Sequence, residues 1–439
     1  MRALIVVALL LLAGCATDTA DEAPEQAVEE PLRVPHVVVA IIDTGINPYN
    51  PQFRDTSDLA YVHPSTYLDG FPADAPALRL SLNATDYEAA VLADCDAWLS
   101  VEPGQVYWIP GTRIVGAMTT NSNQQSCEEG DLPGAILDRG GHGTMTASRA
   151  AGADTGLCPE CRIVVVQGFS TQNMLWTAQQ PWIDLQSNSW GTLPVDYVLP
   201  AQDRMQARDA AATHPVFVSA GNGIGGFFGV TGHPIWYDGN TGPLGIIAVG
   251  AHDNGDWAVW GATMPHVVAD GLGGPSAEPF GLEVDPTGAG GTSGAAPFAA
   301  GAMAQFLLEA RKAANDTGSG VRDGLIVDGD LALSLEDAKR IYFHTADPAV
   351  PEDPFFDGAK CPDSGSTTCA LYPAVPVTWD ATGDAPKYYF VGYGGVGQAT
   401  WQHALDVFLG DAMEPERPVE DAFFEADNAV RDAFDQNQP

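Results

Sequence analysis

Four short stretches carry side chains suited to acyl-transfer chemistry. Gly290-Gly291-Thr292-Ser293-Gly294-Ala295-Ala296-Pro297 puts a serine at a glycine-flanked turn that leads into a helical pattern, Ala299 to Ala314. Glycines let backbone or substrate come close. A helix start offers unpaired N–H groups and partial positive charge to a developing anion. Pro297 suits that place if it falls in the first turn, whose N–H groups have no intrahelical partner. A nucleophilic Ser293 needs a base, an orienting acid and an oxyanion donor. His142, in Gly140-Gly141-His142-Gly143-Thr144, is the candidate base. Asp43, in Asp43-Thr44-Gly45, is the candidate acid, and Asn222, in Ser219-Ala220-Gly221-Asn222, the candidate donor. Each has a plainer reading by itself, as a turn residue or a structural histidine. Their value lies in occurring together.

The elements that must position them can be read from hydrophobic periodicity. His36 to Ile42 is a short apolar run rich in valine and isoleucine, which predicts a buried parallel strand ending at Asp43. Polar residues just past such a strand lie where open α/β sheets keep their active sites. Further strands are predicted at Arg162–Gln167, Ile183–Ser187, Val216–Ser219, Gly245–Val249 and His266–Ala269. Helices are predicted at Met145–Ala151 and Ala201–Thr213, after Ser293, and from Leu331 to Tyr342 with a cap at Ser334. Strands alternating with helices imply a mostly parallel sheet with helices on both faces, a three-layer α/β/α architecture. Residues 50–135 show little periodicity and read as a long, irregular, disulfide-tied insertion. Residues 410–439 form an acidic tail in which Val419, Phe423, Ala426, Val430 and Phe434 share one helical face.

Composition sets further bounds. The chain has 439 residues and a net charge of −38, from 57 acids against 19 bases. Such a surface argues against nucleic acid or anionic lipid as a partner. Arg2 and the apolar run Ala3–Leu12 have the layout of a signal peptide and are too short to span a bilayer. Leu12-Ala13-Gly14-Cys15 is similar to a bacterial lipobox, which implies cleavage after Gly14, so that residues 1–14 leave and Cys15 carries lipid. Ala16 resembles the sorting class of the outer membrane or cell surface. Residues 15–35 then read as the lipidated cysteine and an acidic tether. The membrane is expected as a partner only through that lipid. Cys95, Cys127, Cys158, Cys161, Cys361 and Cys369 remain, an even count in an exported chain, and read as disulfides. Proximity favours 158–161 and 361–369, leaving 95–127. Cys158-Pro159-Glu160-Cys161 also has the spacing of a redox motif or a zinc half-site, but no second C-x-x-C accompanies it.

Taken in order, Ile42-Asp43-Thr44-Gly45-Ile46, Gly141-His142-Gly143-Thr144, Ser219-Ala220-Gly221-Asn222 and Gly291-Thr292-Ser293-x-Ala295-x-Pro297 resemble the four signature blocks of the subtilisin-like serine proteases, the subtilases. The order Asp, His, Ser differs from that of chymotrypsin and of α/β-hydrolases. The resemblance covers about residues 36–409. It implies a serine endopeptidase with Ser293 as nucleophile, His142 as general base, Asp43 orienting it, and Asn222 with the Ser293 N–H as oxyanion hole. Ser187-Asn188-Ser189-Trp190-Gly191 resembles the family's substrate-binding strand, making Ser189, Trp190 and Gly191 candidates for pairing with an extended peptide. Other readings of the same resemblance are an inactive envelope binding protein and a peptide ligase using the same acyl-enzyme. No cofactor is needed for the chemistry. Many subtilases bind Ca²⁺, and the sequence locates no site for it; Asp253-Asn254-Gly255-Asp256 reads as a turn. Residues 16–35 are too short for the family's inhibitory pro-domain. Gly294 stands where the family has Met, which implies looser packing behind Ser293, and Cys158–Cys161 replaces an Ala-Pro-x-Ala turn. A monomer acting on peptides or proteins is expected.

Overall fold

Val38 to Asp43 forms the strand around which the sheet is laid, with all six side chains buried. The structure is a computed structural model that describes residues 34–121, 127, 134–190, 201–219, 222, 246–253, 256–257, 267–271, 273–321, 324–328, 331–346, 395–396 and 398–412. Its strands are β1 (Val38–Asp43), β2 (Ile114–Thr119), β3 (Arg162–Gln167), β4 (Leu185–Asn188), β5 (Val216–Ser219), β6 (Ile247–Asp253), β7 (Asp256–Trp257), β8 (Val267–Asp270), β9 (Ser276–Ala277), β10 (Val284–Asp285), β11 (Ile326–Asp328), β12 (Leu331–Leu333) and β13 (Gly395–Val396). The helices are α1 (Tyr87–Ala93), α2 (Cys95–Leu99), α3 (His142–Ala151), α4 (Thr171–Ala178), α5 (Ala201–Ala211), α6 (Gly291–Ala314), α7 (Leu335–His344) and α8 (Gln398–Leu409).

The main sheet runs β13-β8-β6-β5-β4-β1-β3-β2, all parallel, with β7 added antiparallel to β6. Side chains alternate across a strand. Val39 and Ile41 therefore join one core with residues of α3, α6 and α7, whereas Val38, Ala40 and Ile42 join another with residues of α4 and α5. This is the three-layer α/β/α arrangement. From β1 the chain builds β2 and β3 on one side and β4 onward on the other, so the order reverses at β1. Ligand crevices in open α/β sheets form at the carboxyl ends of strands at such a reversal. Asp43 ends β1, and Ser189 follows the end of β4, its neighbour.

Three departures from the sequence reading have physical causes. The stretch read as irregular insertion contains α1, α2 and β2, the edge strand of the sheet. Phe53 and Trp98 are buried in it, and Trp98 Nε1 donates at 3.0 Å to the hydroxyl of buried Tyr49, just before the stretch. β2 escapes periodicity because Gly116 interrupts it; the Trp182 ring lies 3.0 Å from where a Cβ would stand. Leu331–Leu333 is a strand paired with β11, not the start of a helix. Ser334 then caps α7, accepting from the Asp337 N–H at 3.1 Å. Finally, α6 starts at Gly291, so Pro297 is its seventh residue, beyond the first turn. At the predicted turn Asp253–Asp256, β6 and β7 pair directly across it, Asp253 opposite Asp256.

Candidate active site

Asp43 is fully buried at the end of β1. Its Oδ1 accepts from the Thr44 N–H at 2.7 Å and pairs with His142 Nδ1 at 2.8 Å; Oδ2 accepts from the Thr146 hydroxyl at 3.2 Å. An ionised carboxylate only accepts, so the bond to His142 requires Nδ1 to carry its proton. Nε2 is then the basic atom of the neutral ring.

His142 is the first residue of α3, and Asp138 builds the turn before it. One Asp138 oxygen accepts from the Gly140 and Gly141 N–H groups and the Thr44 hydroxyl at 3.1, 2.8 and 2.7 Å; the other accepts from the Thr144 N–H at 2.8 Å. Orphan donors of the helix start are thereby satisfied, and a carboxylate sits at the positive end of the dipole. Asp138 was not singled out from the sequence, although an Asp shortly before a helical run is a start signal. The His142 side chain is 32% exposed. Burial pulls its pKa down, but the hydrogen bond and charge of Asp43, with the charge of Asp138, outweigh burial and leave it raised. Gly143 allows the backbone of α3 to press on β1's exit loop: a Cβ there would stand 2.2 Å from the Gly45 carbonyl oxygen.

Ser293 is the third residue of α6. Pro297, four residues on, has no N–H to give the Ser293 carbonyl. Ser189 takes over that bond, its hydroxyl donating to the Ser293 carbonyl at 3.0 Å. In return the Ser293 hydroxyl donates to the Ser189 carbonyl at 3.4 Å. Asn222 Oδ1 accepts from both the N–H and the hydroxyl of Thr292, each at 2.8 Å. Those two donors fix the amide's orientation and leave Nδ2 as its donating end. Gly291, at φ +64°, makes room for it: a Cβ there would lie 2.6 Å from Asn222 Oδ1.

The sequence matches the family model described as Subtilase family over residues 35–360. This chain is a member of the subtilase family. No curated protein matches it. Among solved structures, a cold-adapted subtilisin-like serine proteinase is similar at 17% identity, over 76% of this chain and 86% of that one, with a TM-score of 0.41. A serine-to-alanine mutant of the protease domain of PatA is similar at 15% identity, over 88% of this chain and 99% of that one, with a TM-score of 0.45.

In this subtilase, Asp43 and His142 are in direct contact, and Ser293 meets Ser189 and, through Thr292, Asn222. Ser189, expected to border a substrate, is bonded to the Ser293 backbone. Trp190 is half-buried beside the exposed Phe169, ring centroids 5.8 Å apart; Gly191 lies outside the described residues. Gly294 is closely packed rather than loosely: a Cβ there would stand 3.2 Å from Ala289 Cβ and 3.3 Å from the Gly271 carbonyl oxygen. Cys95 is bonded to Cys127, Cα atoms 5.9 Å apart, and Cys158 to Cys161, 5.3 Å apart. Cys15, Cys361, Cys369, the tether and most of the tail lie outside the described residues. Among the described residues, no group of three or more His, Cys, Asp or Glu is placed to hold a metal ion, and no helix is long and apolar enough to cross a membrane.

Proposed function

We propose that the protein is a serine endopeptidase acting through an acyl-enzyme on Ser293. The observation that carries this is the 2.8 Å bond between buried Asp43 and His142 at the sheet's reversal point, in a chain of the subtilase family. Ser293 Oγ turns from the Ser189 carbonyl and attacks a peptide carbonyl carbon while His142 Nε2 takes its proton. Asp43 holds the Nδ1–H tautomer and stabilises the imidazolium. The carbonyl oxygen becomes an anion, received by Asn222 Nδ2 and the Ser293 N–H. The C–N bond breaks, the proton on Nε2 passes to the leaving amine, and water repeats the sequence on the ester, releasing the acid and free Ser293. An extended substrate pairs with the edge at Ser189, Trp190 and Gly191.

The same reading makes the protein an exported monomer held at the bacterial envelope by lipid on Cys15. Its support is the charge, apolar run and cysteine of residues 1–15. Labelled palmitate should enter the wild type and not Cys15→Ala.

Cleavage of a peptide library in the presence of an added amine tests the function. Hydrolysis products that vanish in Ser293→Ala support it. Transfer to the amine alone indicates a ligase. Cleavage that survives in Ser293→Ala overturns the assignment.

A further inference from the structure

His142 opens α3 and Ser293 lies in the first turn of α6, so the placement of these two helices decides whether Nε2 can take the Ser293 proton. Arg149 connects them. It stands on α3 seven residues after His142, two turns on and therefore on the same face. It is 1% exposed. Its Nη2 donates to the carbonyl and to a carboxylate oxygen of Asp270, the last residue of β8, at 2.8 and 2.9 Å. Its guanidinium carbon lies 4.1 Å from the centre of the Phe298 ring, on α6 five residues after Ser293. Gly271, next after Asp270, is pressed against the start of α6. A Cβ on it would collide with the Gly291 carbonyl oxygen and stand 2.9 Å from Ala295 Cβ. Beside Arg149 the two helices meet backbone to backbone: a Cβ on Gly301 of α6 would collide with the Ala150 carbonyl oxygen of α3. One guanidinium thus holds the helix of His142, the helix of Ser293 and the strand end packed against residues 291–295.

Stability alone does not favour this arrangement. The Arg149 Nε is buried without a hydrogen-bond partner among the described residues, and burial lowers the pKa of the side chain despite the charge of Asp270. A buried ion pair is often no more stabilising than apolar side chains of the same volume. A planar fork stacked on a ring fixes distance and direction instead. We propose that Arg149 is a positioning residue for the acylation step, setting the approach of His142 Nε2 to Ser293 Oγ by locking α3 to α6 and to the end of β8. The role rests on the serine-endopeptidase reading and adds the residue that aligns its base with its nucleophile.

Arg149→Met removes the charge and the fork and keeps an unbranched stem. The test is the rate constant at which a fluorophosphonate labels Ser293, measured where circular dichroism shows the variant folded. It should fall roughly ten- to a hundredfold, the scale of a misplacement of about 1 Å or less. Partial unfolding would lower the labelled fraction and not the rate constant of the folded molecules. On a peptide substrate kcat should fall likewise with little change in KM. Arg149→Lys, which keeps a charge and a donor for Asp270, should recover part of the rate. The charges that raise the His142 pKa are those of Asp43 and Asp138, so the pH midpoint should stay in place in Arg149→Met. If that variant does not fold, Asp270→Asn, which weakens the same link from the other side, must show a smaller fall of the same kind. A wild-type rate constant in the folded variant, a fall that Arg149→Lys does not relieve, or a displaced midpoint overturns the positioning role alone. Absence of Ser293 labelling in the folded wild type overturns the peptidase reading and the positioning role together.

Discussion

Ser189 and Ser293 hold each other through two opposed hydrogen bonds, each hydroxyl donating to the other's carbonyl, at 3.0 and 3.4 Å. The first exists because Pro297 denies the Ser293 carbonyl its helical partner. A proline in the second turn of α6 thus ties the backbone of Ser293 to the residue that follows β4.

That tie is measurable. Ser189→Ala should cost about 1 kcal/mol by leaving a half-buried carbonyl without this partner and should lower kcat by misplacing Ser293. Pro297→Ala restores an N–H four residues beyond Ser293. In a denaturant double-mutant cycle, the cost of Ser189→Ala should be smaller in the Pro297→Ala background. Strict additivity would show that the two residues do not share the carbonyl.

Asp43→Asn exchanges an acceptor for a group that can donate to Nδ1, which favours the wrong tautomer. A loss of kcat on the order of 10⁴ is expected, a scale set by other triad enzymes. Steady-state kinetics would show it with KM little changed.

The pH profile follows from the raised pKa of His142. Protonated His142 cannot accept the Ser293 proton, so kcat/KM should climb with pH through a midpoint above the ordinary imidazole value. Asp138→Asn removes one of the charges that raise it and should move the midpoint down. Stability runs the other way: a pKa raised in the fold contributes stability below the unfolded value, and that contribution is lost as pH rises through the folded one.

Gly291→Ala should act at a distance on the oxyanion. Its Cβ would intrude 2.6 Å from Asn222 Oδ1. Asn222→Asp keeps an acceptor for Thr292 but replaces the donor. Both should lower kcat by about 10²–10³, as loss of one oxyanion donor does elsewhere. An unimpaired Asn222→Asp would remove Asn222 from the site.

Lys339 supplies a prediction independent of catalysis. It is fully buried on α7, its Nζ donating to the Ala211 carbonyl at 3.1 Å, and burial lowers its pKa to about 7. The unfolded chain takes up this proton at higher pH than the fold does, so stability falls as pH drops from about 10 toward 7. Lys339→Met should raise Tm at pH 7, and its advantage should shrink at pH 10.

Much of this was legible in the sequence. The centres of β1, β3 and β5 are continuous apolar runs because both faces are covered, and that pattern needs no partner to be read. Asp43, His142, Asn222 and Ser293 stand out because glycines crowd the turns that carry them. What stayed hidden depends on distant contacts. Asp138 reaches Thr44, 94 residues away, and Ser189 reaches Ser293, 104 away, and no local spacing encodes either bond. Leu331–Leu333 misled because its spacing continues the apolar face of α7, while its pairing with β11 decides its conformation.

The central claim is that Ser293 is a nucleophile activated by His142 and Asp43. A fluorophosphonate probe followed by peptide mass mapping tests it directly on the folded protein. The expected result is one adduct, on Ser293, formed in the wild type and lost in His142→Ala and Ser293→Ala. A folded wild type that takes up no probe, or takes it up elsewhere and equally in both variants, would contradict it.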